Sequence, residues 1–191
     1  MYKDMNVRLT GATPLLLHSN RAANPLDPDA KKMKTLSRKR DKTDEDLEKL
    51  SELEWFLSLY IGDDGQIVMP GENIEAMFIA AAKKEKKGTQ AKVGFLCNTA
   101  CPISYAGPKK PQELLHNRHF VDVRAVRIQK NTVMRTRPIF REWHIDARLS
   151  FDPTQFNDAS AVLGILKVGG EYIGLGDYRP KYGRFTAEIQ K

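Results

Sequence analysis

Two cysteines and two histidines have types and spacing that could hold a metal ion. Cys97-x-x-x-Cys101 is followed by His116-x-x-His119. Two thiolates and two imidazoles suit tetrahedral zinc. The histidine pair is more tightly spaced than in the usual zinc finger, and His119 opens an expected strand. The alternative is two reduced cysteines packed as small hydrophobes, with the histidines on the surface. Asp27 and Asp29 sit among Pro25 and Pro28, where aspartate is first of all a turn former. Gly174-Leu-Gly176 could begin a dinucleotide fingerprint, but Arg179 stands where the third glycine belongs and no helix signal follows. No Gly-x-Ser-x-Gly and no phosphate-binding loop occurs, and neither cysteine has a nucleophile's sequence context. An enzyme of a common class is not expected.

Polyanion recognition has wider support. Lys31, Lys32, Lys34, Arg38, Lys39 and Arg40 form a basic run with no acid among them. Arg124, Arg127, Lys130, Arg135, Arg137 and Arg141 form a second, dominated by arginine. Arginine grips phosphate with two parallel hydrogen bonds and stacks on bases, which suits it to backbone tracking. In Arg179-Pro-Lys181-Tyr182-Gly-Arg184 cations flank an aromatic ring beside glycines. Glycine lets a backbone approach phosphate closely, and tyrosine can stack on a base. Each segment could instead be a solvated charged face. Three in one basic chain favour nucleic-acid binding.

These segments belong to a chain of 191 residues, long enough for one core with insertions. Lys and Arg number 31 against 24 Asp and Glu, a net charge of +7, and 41% of residues are hydrophobic. No apolar run approaches the ~18 residues of a membrane span, and the first residues do not read as a signal peptide. Two cysteines cannot build a disulfide framework. A soluble, cytoplasmic protein with no membrane partner is the expectation.

Residues 5–17 read as a strand interrupted by Gly11 and Pro14. Residues 20–42 lose their apolar content and are expected to be a flexible basic loop. Thr43 caps an amphipathic helix to Tyr60, with Asp44, Glu45 and Asp46 in its first turn, where the dipole favours anions. A short strand over 66–69 leads through Pro70-Gly71 into a helix with Ile74, Met77, Phe78 and Ala81 on one face. Its closing lysines, 83–87, fit a helix C-terminus. Residues 88–118 read as an irregular insertion. A strand over 119–128 is followed by an extended segment, a thumb-like hairpin over 126–140. Residues 141–151 alternate apolar and polar through five repeats, the pattern of a half-buried antiparallel strand. Asn157 is the expected cap of a helix over 158–168, and residues 183–189 are a last strand. The expected fold class is α+β, a ferredoxin-like (RRM-like) βαββαβ core with an antiparallel sheet, in one domain over 1–191.

The layout resembles the RAMP superfamily of CRISPR systems, particularly the backbone subunits that polymerise along guide RNA. The first strand running into Thr13-Pro14-Leu15-Leu16-Leu17 is similar to that family's opening. Ile67-Val68-Met69-Pro70-Gly71-Glu72-Asn73-Ile74 resembles its entry from strand to helix. The arginine-rich hairpin stands where such subunits carry a thumb, and Gly174-Leu-Gly176 with Tyr182-Gly183-Arg184-Phe185 resembles the C-terminal glycine-rich loop. The resemblance implies a sheet and loops that hold single-stranded RNA, and a thumb that wedges between nucleotides. In some members an acidic residue after the first strand cuts target RNA with a divalent metal, and Asp27 and Asp29 stand in that loop here.

The function expected is therefore that of a non-catalytic RNA-binding subunit without a cofactor. It would assemble along a guide RNA with other effector subunits or copies of itself. The alternatives are a single-stranded DNA-binding protein of a phage or mobile element, a stand-alone mimic that joins or blocks a CRISPR complex, and a metal-dependent RNA endonuclease using Asp27 and Asp29.

Overall fold

In a computed structural model, which describes residues 1–129 and 131–190, the protein is α+β, with antiparallel sheets and six α-helices. Along the chain run β1 (Lys3–Gly11), β2 (Leu15–Leu16), α1 (Pro28–Arg38), α2 (Asp44–Leu57), β3 (Val68–Met69), α3 (Gly71–Lys84), α4 (Gly88–Gly94), β4 (Phe95–Leu96), β5 (Cys101–Ser104), α5 (Pro111–Leu115), β6 (Val121–Ile128), β7 (Asn131–Phe140), β8 (His144–Phe151), α6 (Ala159–Val168) and β9 (Phe185–Ile189). No helix among the described residues is long and apolar enough to cross a membrane. The chain packs as two compact units. The first comprises residues 1–16, 61–106 and 141–191, and the second residues 17–60 and 107–140.

The first unit is built on a sheet of order β3–β5–β8–β1–β9, with β4 also on β8. The pairs are antiparallel, and β1 runs beside β8 from Lys3 opposite Phe151 to Thr10 opposite His144. Alternation decides which side is core. Met5, Val7 and Leu9 of β1 and Ile145, Ala147, Leu149 and Phe151 of β8 point inward and are buried. Ile74, Met77 and Phe78 of α3 and Val162, Ile165 and Leu166 of α6 are buried in the same unit. Phe78 stacks on Phe95, with centroids 3.7 Å apart, and meets Phe156 edge-on. At roughly 1.5–3 kcal/mol for each large side chain removed from water, these layers dominate the unit's stability.

Two expectations change here. The strand next to β8 is β5, inside the segment expected to be irregular, which also carries α4, β4 and α5. Only Cys101 and Ile103 of β5 face inward, too few for a period-2 signal. The strand expected over 119–128 is β6, which pairs along its length with β7. The cap of α6 also moves by one residue: the Asp158 carboxylate accepts from the Ala161 N–H at 2.8 Å.

The second unit combines two chain segments. The basic loop expected over 20–42 contains α1. Asp27 caps it, accepting from the N–H groups of Asp29 at 2.9 Å and Ala30 at 3.2 Å, and Pro28 takes the first helical position. Ala30 is buried and Met33 and Leu36 half-buried, which anchors the helix despite its charge. Thr43 opens α2 with a reciprocal capping box to Asp46. Trp55 of α2 is fully buried, and its ring N–H donates to the Phe120 carbonyl at 3.0 Å. The hairpin of β6 and β7 runs in register from Val121 opposite Pro138 to Ile128 opposite Asn131.

Candidate nucleic-acid interface

The helix formed by 28–38 turns the first basic run into an ordered surface. Lys31, Lys34 and Arg38 recur at i, i+3 and i+7, so they share one side of α1. All three are exposed, as is Arg40 beyond the helix end. Among the described residues none of these four side chains forms an ion pair. The other two cations of the run are engaged. Lys32 pairs with Asp29 at 3.1 Å, and the Lys39 ammonium lies 2.5 Å from Asp46. The Lys39 contact and the Thr43 N–H hold the Asp46 carboxyl down at about 2.

Asp27 and Asp29 have local roles. Besides capping α1, Asp27 accepts two hydrogen bonds from the Arg21 guanidinium, at 3.2 and 3.0 Å. Burial raises the Asp27 pKa, but the Ala30 N–H, Arg21 and the Asp29 N–H outweigh it, so the carboxyl titrates below its ordinary value. A capped helix N-terminus and an i,i+3 pair therefore account for both aspartates.

The second basic run is less free than its composition implies, because acids from outside the run reach into it. Arg124 and Arg135 face one another across the hairpin, which costs energy unless each charge is compensated. Arg124 pairs with Asp122 two residues away. Arg135 lies 2.5 Å from Glu54 of α2, whose other oxygen accepts the Thr136 N–H at 2.8 Å. Arg137 is buried. Arg127 is exposed on the hairpin, Arg141 is exposed in the first unit, and Lys130 lies outside the described residues. One face of the hairpin also shows exposed Val123 and Met134.

In the third segment the glycines mainly serve the chain's own packing. Gly183 has a φ of 73°, and a Cβ there would overlap the Leu175 carbonyl oxygen; at Gly176, with a φ of 72°, it would overlap that of Leu16. The loop is tied down by the Gly183 N–H to the Pro14 carbonyl, the Asp177 N–H to the Leu16 carbonyl and the Leu175 N–H to the Gly183 carbonyl, each at 2.8 Å. This braid presents Arg179, Lys181 and Arg184 to solvent. The half-buried Tyr182 meets Tyr178 edge-on.

The loop also builds a feature the sequence reading passed over. Tyr172, Tyr178 and Arg179 line a cleft of about 580 Å³ against Ala76 and Ala80 of α3. Tyr172 and Tyr178 are 54% and 46% exposed, and the Lys84 ammonium lies 5.5 Å from the Tyr172 ring centre. The Glu171 carboxylate beside Tyr172 pushes the phenol pKa up. The available signal was two tyrosines on either side of Gly174-Leu-Gly176; Lys84 was covered by its helix-end explanation.

The open face of the sheet differs in character. Arg8 and Asp146 form a two-bond pair at 2.7 Å, while Asp4 accepts from Arg148 at 2.6 Å and from Ser150 at 2.7 Å. These partners hold the Asp4 and Asp146 carboxyls below their usual range, Ser150 most strongly for Asp4 and Arg8 for Asp146. The outward positions of β1, β8 and β9 carry no Phe, Tyr or Trp. That face sets Arg8 and Arg148 against Asp4, Asp146 and Glu188, with His144 at one end of β8.

The residues weighed for zinc are distributed over two segments. Cys97, just after β4, and Cys101, the first residue of β5, are buried, their sulfurs 3.9 Å apart. His116 and His119 are exposed in the second unit, between α5 and β6. Among the described residues no group of three or more His, Cys, Asp or Glu could hold a metal ion. No family model matches the chain, and no curated protein matches it.

Proposed function

We propose that the chain is a non-catalytic subunit that binds single-stranded RNA, assembling with other subunits or further copies along a guide RNA in the cytoplasm. The observation that carries this reading is the exposed stripe of Lys31, Lys34 and Arg38 on α1, continued by Arg40, with no ion-pair partner among the described residues. Cations kept free of acids are available to phosphate, and helical spacing of roughly 5–6 Å between neighbours gives them the continuity a backbone needs. The loop tip with Arg179, Lys181 and Arg184, and the tyrosines near it, add a second basic and aromatic surface.

The RAMP reading is part of the proposal. In the first unit the order β9–β1–β8–β5, with α3 following β1 and α6 linking β8 to β9, supports a ferredoxin-like βαββαβ core. The hairpin of β6 and β7, with Arg127 exposed, suits a thumb. On the open sheet face Arg8 and Arg148 are both paired with aspartates, which favours the loops and α1 over the strands for RNA.

Fluorescence anisotropy with a labelled oligouridylate, titrated at low and high salt, tests the proposal. Affinity should fall steeply with salt, by roughly 0.7 logarithmic units per tenfold salt for each phosphate contact. A flat salt dependence, or equal competition by a neutral polymer, overturns it. Competition by single-stranded DNA of equal length distinguishes the DNA-binding alternative.

A further inference from the structure

The cysteines form a buried pair that the proposed RNA surface does not use. Cys97 Sγ and Cys101 Sγ lie 3.9 Å apart, and each is 3.6 Å from the Thr99 carbonyl oxygen. Side-chain exposure is small, but the intervening Asn98, Thr99 and Ala100 are all exposed, and it is the Thr99 carbonyl that both sulfurs approach. The backbone on both sides is anchored. The Cys97 N–H donates to the Glu75 carboxylate at 2.7 Å, and the Cys97 carbonyl packs against Gly71, where any Cβ would overlap it. Cys101 pairs with Met69 in the sheet.

We propose that Cys97 and Cys101 are a reversible dithiol–disulfide site, oxidised by hydroperoxides to an intramolecular disulfide that staples the connection between β4 and β5 beneath the N-terminus of α3. A disulfide needs its sulfurs at about 2.05 Å, so about 2 Å must be closed. With both backbones anchored, side-chain rotation and the exposed residues 98–100 supply that movement. The hydrogen bond between the thiols gives the pair unequal roles. It pushes the Cys97 thiol up, reinforced by burial, and holds the Cys101 thiol down, so Cys101 is the first to become thiolate. The Cys101 thiolate attacks a peroxide oxygen, the O–O bond breaks, and the departing oxygen leaves as water after taking a proton. The resulting sulfenic acid is attacked by Cys97 sulfur, which forms the S–S bond, loses its proton and expels the hydroxyl as a second water. Two thiols and one hydrogen peroxide thus give one disulfide and two waters, the peroxide being reduced. A small-molecule thiol reverses the bond by exchange.

The test treats the folded full chain with a few equivalents of hydrogen peroxide, then alkylates free thiols and measures the intact mass. The expected product is a monomer lighter by two hydrogens, resistant to alkylation, with one cross-linked peptide joining Cys97 to Cys101. Dithiothreitol restores two alkylatable thiols, and the circular dichroism spectrum is unchanged throughout. Alanine keeps these buried positions apolar, so Cys97→Ala and Cys101→Ala are the variants to use. Neither should form the cross-link, and in the reduced native chain brief alkylation should label Cys101 before Cys97. Two free thiols after peroxide, a cross-linked dimer, a sulfinic acid as main product, equal labelling of the two cysteines in the reduced native chain, or a disulfide that appears only with loss of the folded spectrum overturns the proposal.

Discussion

Asp27 illustrates how much local structure a single side chain can hold. Its carboxylate satisfies two orphan N–H groups of α1 and two donors of Arg21. Removing it leaves the helix uncapped and the guanidinium without this acceptor. Asp27→Ala should therefore lower unfolding free energy by about 1 kcal/mol, read as a lower urea midpoint with an unchanged slope, while Asp27→Asn should recover most of the loss. The same variant should leave RNA affinity within about twofold if phosphate contact lies with the cations of α1. Arg135 carries the complementary lesson. Its sequence neighbours suggest a free cation, yet Glu54, more than eighty residues away, holds its charge.

Among the elements, α1 is the one on which the proposed RNA binding turns. Charge reversal of Lys31, Lys34 and Arg38 to glutamate keeps the buried Ala30 and the Asp27 cap intact, so the helix should survive. Three lost phosphate contacts should flatten the salt dependence of RNA binding by about two units in the slope of log affinity against log salt. Reversal of Lys32 and Lys39 should change the slope less, because Asp29 and Asp46 already engage them. Equal effects from the two sets, measured by the same anisotropy titration, would remove α1 as the interface. Elements also differ in how openly their sequence announces them. The alternation of β8 and the stripe of α3 repeat often enough to be read by eye. β5 has two inward residues, and α1 hides a thin apolar side among four cations, so neither reads clearly in a single sequence.

For the whole molecule, the acids matter as much as the cations. Asp46 titrates at about 2 against an ordinary 3.8, and Asp4, Asp27, Asp146 and Asp152 are also held below their usual values. A carboxyl lowered in the folded state stabilises it above the unfolded pKa, and that contribution is lost as pH falls through the folded value. The urea midpoint should therefore drop as pH falls from about 4 to about 2, and the drop should shrink in Asp46→Asn. Because Asp4, Asp46 and Asp146 pair at the surface, high salt should reduce the effect.

Local chemistry determined much of this protein directly from its residues. The caps of α2, the α3 entry after Pro70, the inward face of β8 and the basic segments are all short-range patterns, set within a turn or two of chain. Tertiary structure alone decided which cations remain available. Partners for Arg124 and Arg135 come from just outside the run and from a distant helix, and Arg137 is buried. It also decided that residues 17–60 and 107–140 join in one unit, that β5 rather than β6 stands beside β8, and that two cysteines bring their sulfurs into contact. The physical reason is common to all of these. Charge neutralisation, strand pairing and sulfur contact depend on distance in space, and a linear pattern reports only the neighbours along the chain.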